Sequence, residues 1–332
     1  MTTADAKRLR GADERMAAGL VGRALRHPSF PAFVGMVAIW LAIVALSSGR
    51  GWWDTFTAAV IVGTILLIAG LGQMFVITGG NGGIDLSVSY VMTLCAFFSC
   101  DVMGGSDAQL WPGILAGLAI GVAAGLINAC LIELVRMPPL VATLAVGFTL
   151  QTITLIYSGS VVGVSSPALR TFTTAQWGPV PVIGIFGVAV AVLAYVVLKR
   201  TSYGRRIEAV GQNAIAAGLA GARPSLIRAS TYVVSAGLAG LAGVLAAAYA
   251  GGAARNLGDN YQLASIAVVV LGGSLIAGGR GLVSGVWAGA ILLTLLSTLG
   301  NVTRLAAGWQ FVIQGVLIVL VLALTRAPGA RR

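Results

Sequence analysis

The chain has 332 residues, of which 58% are hydrophobic and 9% charged, with 21 basic against 10 acidic residues and a formal net charge of +11. Soluble domains carry about 25% charged residues, so this composition cannot clothe a water-soluble surface and excludes an ordinary soluble enzyme. The positive charge reads as a topology signal and an attraction to anionic headgroups rather than as a nucleic-acid footprint.

Apolar runs follow one another nearly end to end, many about 18 to 24 residues long, the length a helix rising 1.5 Å per residue needs to cross a hydrocarbon layer of roughly 30 Å. Residues 1–29 form a polar, basic tail, and the first apolar run after it is too long for the core of a cleaved signal, so an uncleaved first helix is expected. Ten spans are predicted: Phe30 to Ser48, Thr57 to Thr78, Ser87 to Met103, Trp111 to Leu134, Leu140 to Tyr157, Pro181 to Leu198, Leu226 to Ala250, Tyr261 to Ala277, Leu282 to Leu299 and Trp309 to Leu324. The expected fold is an all-α integral membrane protein with one transmembrane domain, 30–325, and a cytoplasmic tail, 326–332. Basic residues near span ends stay cytoplasmic. Inner segments then hold Lys7, Arg8, Arg10, Arg15, Arg23 and Arg26, then Arg136, then Lys199, Arg200, Arg205, Arg206, Arg223 and Arg228, then Arg280, then Arg326, Arg331 and Arg332, whereas Arg50, Arg170, Arg255 and Arg304 fall outside. Both termini are expected in the cytoplasm.

Cys95, Cys100 and Cys130 all lie in predicted spans without metal or redox spacing, and structural burial is expected for each. His27, the only histidine, sits beside Pro28 at the membrane edge and carries no assigned role. Gly113, Gly117, Gly121 and Gly125 recur every four residues, and Gly281, Gly285 and Gly289 repeat the device. Small residues at that spacing let helix backbones approach closely in a membrane. Taking 57–157 and 226–324 as two halves, both stripes fall on the third helix of their half, and the halves run in opposite senses, an arrangement found where a transport path lies at a repeat interface.

Two places read as broken helix near membrane depth. Four glycines occur between Thr78 and Ser87, around Asn81 and Asp85, and Gly251-Gly252 is followed by Asn256, Asp259, Asn260 and Gln262. Irregular backbone at that depth is tolerated only where protein or a water-filled cavity covers it. The candidate path residues are Gln73, Asn81, Gly82, Asp85, Ser87, Thr143, Asn260 and Gln262. Asp85 reads either as a path residue or as a cap on the third helix.

The longest internal cytoplasmic segment is 199–227, where Asn213 to Ala220 reads as a short helix started by an Asn cap and stopped by Gly221 and Pro224. No Gly-Lys-Ser/Thr occurs, since Lys7 and Lys199 follow Ala and Leu, so a P-loop is excluded from this chain. Zinc-protease and serine-hydrolase motifs are also missing, and no catalytic residue or metal site is expected. An ion-coupled secondary transporter using Asp85 is the alternative; such proteins carry relays of acids or histidines inside the membrane.

The strings GGNGGIDLSVS (Gly79 to Ser89), GRRIEAVGQNAIAAGLAG (Gly204 to Gly221) and LASIAVVVLGGSLIAGGRG (Leu263 to Gly281), in this order, resemble the ribose-type permease family of bacterial ABC sugar importers. The similarity covers roughly the whole chain after the tail. It implies a multi-pass permease in the bacterial inner membrane that moves a monosaccharide or related small polar solute by alternating access. The implied partners are a separate ABC ATPase that holds ATP and Mg, a periplasmic or lipid-anchored binding protein, and a second permease chain, identical or not. No cofactor is expected in this chain, and no nucleic acid among its partners. By the same resemblance the loop between the halves contacts the ATPase through Arg205, Glu208, Ala209, Gly211, Asn213, Ala217 and Gly221, and Gly82 to Ser87 lie near the path. One departure stands out: the family usually shows Glu-Leu-Asp ahead of the third string, and this chain has Gln262-Leu263-Ala264-Ser265. The loss of that acid bears on the usual substrate or gating contacts.

Overall fold

The computed structural model describes residues 27–47, 51–161, 163–306, 308–310, 312–313 and 315–316. Twelve α-helices occur among them: α1 (Phe30–Leu46), α2 (Trp52–Thr78), α3 (Val88–Met103), α4 (Leu110–Glu133), α5 (Pro139–Tyr157), α6 (Pro167–Thr174), α7 (Val182–Arg200), α8 (Ser202–Gln212), α9 (Ala214–Leu219), α10 (Pro224–Ala250), α11 (Tyr261–Leu271) and α12 (Val283–Val302). A two-residue hairpin, β1 (Gln176–Trp177) and β2 (Val180–Pro181), is the only sheet described. The helix limits follow local chemistry. Pro139 and Pro224 open α5 and α10, where a missing N–H costs nothing, while Gly104 and Gly251, both left-handed, close α3 and α10. Six of the described helical segments are long and apolar enough to cross a membrane, and α1, α3 and α11 are shorter apolar helices. This is an all-α, multi-pass membrane protein.

α2 is the central element. Its apolar window is 89% buried and that of α10 61%, against 33% for α4, α5 and α7. The two halves exchange their first helices: α10 packs on α3 and α4 of the first half, whereas α2 packs on α11 and α12 of the second. Each first helix thus takes its main partners from the opposite half, and α2 and α10 meet at the centre.

The small-residue stripes lie at these exchanged contacts. On α4, a Cβ at Gly121 would stand 2.6 Å from the Ala236 carbonyl of α10, and Gly113, Gly117 and Gly125 likewise face α3 or α10. On α12, Gly285 and Gly289 face the end of α11, while Gly281 precedes the helix and faces Thr78 and Met74 of α2. Backbone-to-backbone approach of this kind replaces the hydrophobic effect as the source of helix association in a membrane.

Several details differ from the sequence expectation. The eighth predicted span, Tyr261 to Ala277, ends as a helix at Leu271, because Gly272 and Gly273 follow and Gly273 takes φ +81°. The segment 199–227 holds two helices, α8 and α9, rather than one. Between α5 and α7 the connecting segment forms amphipathic α6, whose N-terminus is capped by Ser166, its Oγ accepting from Leu169 N at 3.4 Å, and by Asp107, whose carboxylate accepts from Ser166 Oγ at 2.5 Å and Ala168 N at 2.8 Å. Cys130 is exposed, because α4 turns its glycine face inward and Cys130 away, whereas Cys95 and Cys100 are buried. Of the tenth span, Trp309 to Leu324, only 309–310, 312–313 and 315–316 are described; residues 1–26 of the basic tail and the tail 326–332 lie outside the described residues.

Candidate functional site

The loop between α2 and α3 is held by five other elements. Asp85 is 1% exposed. Its Oδ1 accepts from Ser87 N at 2.9 Å and Ser87 Oγ at 2.6 Å, closing a turn at the start of α3, and its Oδ2 accepts from Ser235 Oγ of α10 at 2.9 Å. The Gln73 amide of α2, oriented to satisfy both its atoms, donates to the Asp85 carbonyl at 3.2 Å and accepts from its N–H at 3.1 Å. Asn128 of α4 donates to Ser87 Oγ at 2.9 Å, and Thr143 of α5 accepts from Leu86 N at 3.1 Å. Gln262 of α11 accepts from Ser89 N at 3.1 Å and donates through Nε2 to the Leu86 carbonyl.

Residues that the sequence placed on a path, Gln73, Asp85, Ser87, Thr143 and Gln262, therefore meet in one buried hub. A buried polar group costs little only when it is hydrogen-bonded, and here both carboxylate oxygens are satisfied by neutral donors. The two ion pairs among the described residues lie elsewhere: Arg228 with Glu133 at 2.9 Å, and Lys199 with Glu208. Asn81 and Gly82 are exposed and stand at the loop's tip, with positive φ at both. Asn128, Ser235 and Tyr232, whose hydroxyl approaches Gly83, escaped the sequence reading. Each is a polar residue inside an apolar span, which was the available signal.

Asn260 lies apart from the hub. With Tyr261, Thr294, Ser297, Asn301 and Gln310 it lines a cavity of about 350 Å³ between α2, α11 and α12, whose apolar walls include Val62 and Leu66. Neutral amides and hydroxyls thus face one space, with no charged side chain among the described residues of its lining. Along α2 it sits at Val62 and Leu66, well away from Thr78, where α8 docks.

α8 and α9 project between the halves. Asn213 caps α9 by accepting from Ile215 N and Ala216 N, both at 3.0 Å. Arg205, Ala209, Asn213 and Gly221 are exposed. Glu208 instead pairs with Lys199, Ala217 is buried, and Gly211 packs on backbone. Burial pushes the Tyr203 hydroxyl above its ordinary value, offset in part by its hydrogen bond with Ser230 at 2.8 Å. The outward face of α9 is apolar: Ile215 is 79% and Leu219 88% exposed, and Leu226 near the start of α10 is exposed as well. Ile215 and Leu219 were missed because small residues flank them and the string drew attention to Glu208.

Residues 55–322 match the family described as branched-chain amino acid transport system / permease component. The chain belongs to this family of ABC transporter permeases, membrane-spanning transport subunits rather than enzymes. It is 32% identical over 263 residues to the ribose import permease protein RbsC of Bacillus subtilis (strain 168), and 31% identical over 265 residues to the inner membrane ABC transporter permease protein YjfF of Escherichia coli (strain K12). Both alignments take in 78% of this chain and 80% of the relative. To the D-allose transport system permease protein AlsC of Escherichia coli (strain K12) it is 29% identical, with 82% and 83% covered.

Proposed function

We propose that this chain is the permease subunit of an importer in a bacterial inner membrane, with both termini cytoplasmic, carrying a neutral monosaccharide or polyol of similar size. A separate ATPase binds ATP and Mg and docks on α8 and α9. A binding protein on the opposite face delivers the solute, and a second permease chain completes the pore. The observation that carries the reading is the apolar face of Ile215 and Leu219: side chains of this size exposed on a capped two-helix projection are suited to an apolar groove on a partner.

The cavity supports the substrate class. The family description names branched-chain amino acids, but a zwitterion calls for charged or strongly polarised partners for both of its ends. Among the described residues the cavity offers only uncharged groups. Hydroxyls and amides that donate and accept, beside the ring of Tyr261, match a neutral polyol, and the volume of about 350 Å³ lies within the range of small-molecule pockets, roughly 300–1,000 Å³. The ribose and allose named for two relatives belong to that class. The ion-coupled alternative finds no support: the Asp85 oxygens are engaged by serine donors.

Co-purification in mild detergent tests the reading. The wild-type chain should carry an ATPase, Leu219→Asp should release it, and Glu208→Gln should retain it. A chain that purifies without ATPase and transports on an ion gradient alone would overturn the proposal.

A further inference from the structure

Three segments distant in sequence converge where α8 ends. Gly279 N donates to the Thr78 carbonyl at 2.9 Å, tying the end of α2 to the loop between α11 and α12. The last turn of α8 lies on this bond. A Cβ on Gly211 would stand 2.0 Å from Thr78 O and 2.4 Å from Gly279 N, so backbone meets backbone with no side chain between. A Cβ on Gly80 would lie 2.8 Å from Gly211 Cα, and one on Gly278 would lie 2.5 Å from Gly80 Cα. Gln212 Nε2 adds a hydrogen bond to the Gly279 carbonyl at 3.2 Å. Gly80, Gly278 and Gly279 have φ of +77°, +95° and +80°, a region that glycine alone adopts without strain.

From this junction the chain runs directly into the hub. Gly83 N donates to the Gly80 carbonyl at 3.0 Å, and two residues later Asp85 joins α3 and α10. Close-packed backbone has no rotamer freedom with which to absorb a shift, so displacement at Gly211 must move Thr78, Gly80 and Gly279 with it.

We infer that Gly211 and Gln212 are positioning residues of the coupling step: Gly211 faces away from the ATPase, and together with the Gln212 bond to Gly279 it carries a displacement of α8 and α9 to the 79–87 loop of one half and the 272–282 loop of the other at once. The inference rests on the reading of α8 and α9 as the ATPase-facing element. It assigns to Gly211 a role opposite to direct ATPase contact, because a residue with a carbonyl and an amide where its Cβ would be has no room for a partner on that side.

Hydrogen exchange on the full complex tests it, comparing the ATP-free state with the state trapped by MgATP and orthovanadate. In the wild type, trapping should change protection at α9 and at both loops. Gln212→Ala keeps the glycine backbone and loses the bond to Gly279; it should retain the ATPase and the α9 response, while the response of 272–282 falls about fivefold or more. Gly211→Ala must push the end of α8 off this junction and should silence both loops. A role in folding alone would change protection before trapping and leave the trapping difference intact, which would overturn the inference. Loss of the ATPase from Gln212→Ala would also overturn it, making Gln212 a contact residue. A wild-type complex without any ATPase would instead overturn the importer reading on which the inference stands.

Discussion

Asp85 is the residue at which a structural and a transport role diverge most sharply. Replacement by alanine removes the acceptor for Ser87 N, Ser87 Oγ and Ser235 Oγ together. Ser235 can turn its hydroxyl toward its own helix, so the cost concentrates on the two Ser87 donors. At about 1–3 kcal/mol for each buried orphan, and with incomplete additivity, a loss of about 2–4 kcal/mol follows. Asparagine is different: its Oδ1 accepts both Ser87 donors, and its amide nitrogen faces a serine hydroxyl able to accept, so Asp85→Asn should cost about 1 kcal/mol or less. The assay pairs thermal unfolding in detergent with ATP-driven uptake in proteoliposomes. Asp85→Ala should unfold at a clearly lower temperature and fail to transport; Asp85→Asn should unfold near the wild type and transport. If Asp85→Asn unfolds normally, keeps its ATPase and yet abolishes uptake, the carboxylate has a charge-dependent task and the hub argument is refuted.

Gly121→Val places a branched side chain where a Cβ already lies 2.6 Å from the Ala236 carbonyl, so α4 and α10 must separate, at about 1–3 kcal/mol by analogy with overpacked cores; Gly237→Ala, whose Cβ meets nothing nearer than 3.7 Å, is the neutral control in the same melting experiment. Asn301→Leu removes an amide from the cavity without filling it, and should raise the KM for uptake about tenfold with the ATPase still bound; an unchanged KM would place the solute elsewhere. The Asp107 carboxyl is held below its ordinary value of 3.8 by the donors from Ser166 and Ala168. A depressed folded pKa means that the α6 cap is complete at neutral pH and is lost as pH falls through the folded value, so amide exchange at 169–174, corrected for intrinsic rate, should stay level down to about pH 5 and rise only below roughly 3.9.

Spans were legible wherever length and hydrophobicity coincided: α2, α4, α5, α7, α10 and α12 all fall on predicted runs. The signal failed where tertiary contact decides. Val269 to Ala277 is apolar enough to extend the predicted span, and only the Gly272-Gly273 pair inside it hints at a break; Gly272 packs against Gly285, and the chain must leave the helical path there for α12 to approach α11. The hub was half legible for a related reason. Gln73, Asp85 and Gln262 stand out as polar groups near glycine-rich breaks, whereas Asn128 and Ser235 sit in unbroken apolar helices and gain meaning only when the exchange of first helices brings α4 and α10 to the same loop. At α8 and α9 the conspicuous residues, Glu208 and Gly211, turn inward, and the inconspicuous ones, Ile215 and Leu219, turn outward. A motif string marks that a segment is constrained without saying on which side. At Gln262 the amide both accepts from Ser89 N and donates to the Leu86 carbonyl. A glutamate there could accept but not donate when ionised. Glutamine is therefore suited to tie α11 to the Asp85 loop in this chain, an architectural reason for the loss of the first of the two acids.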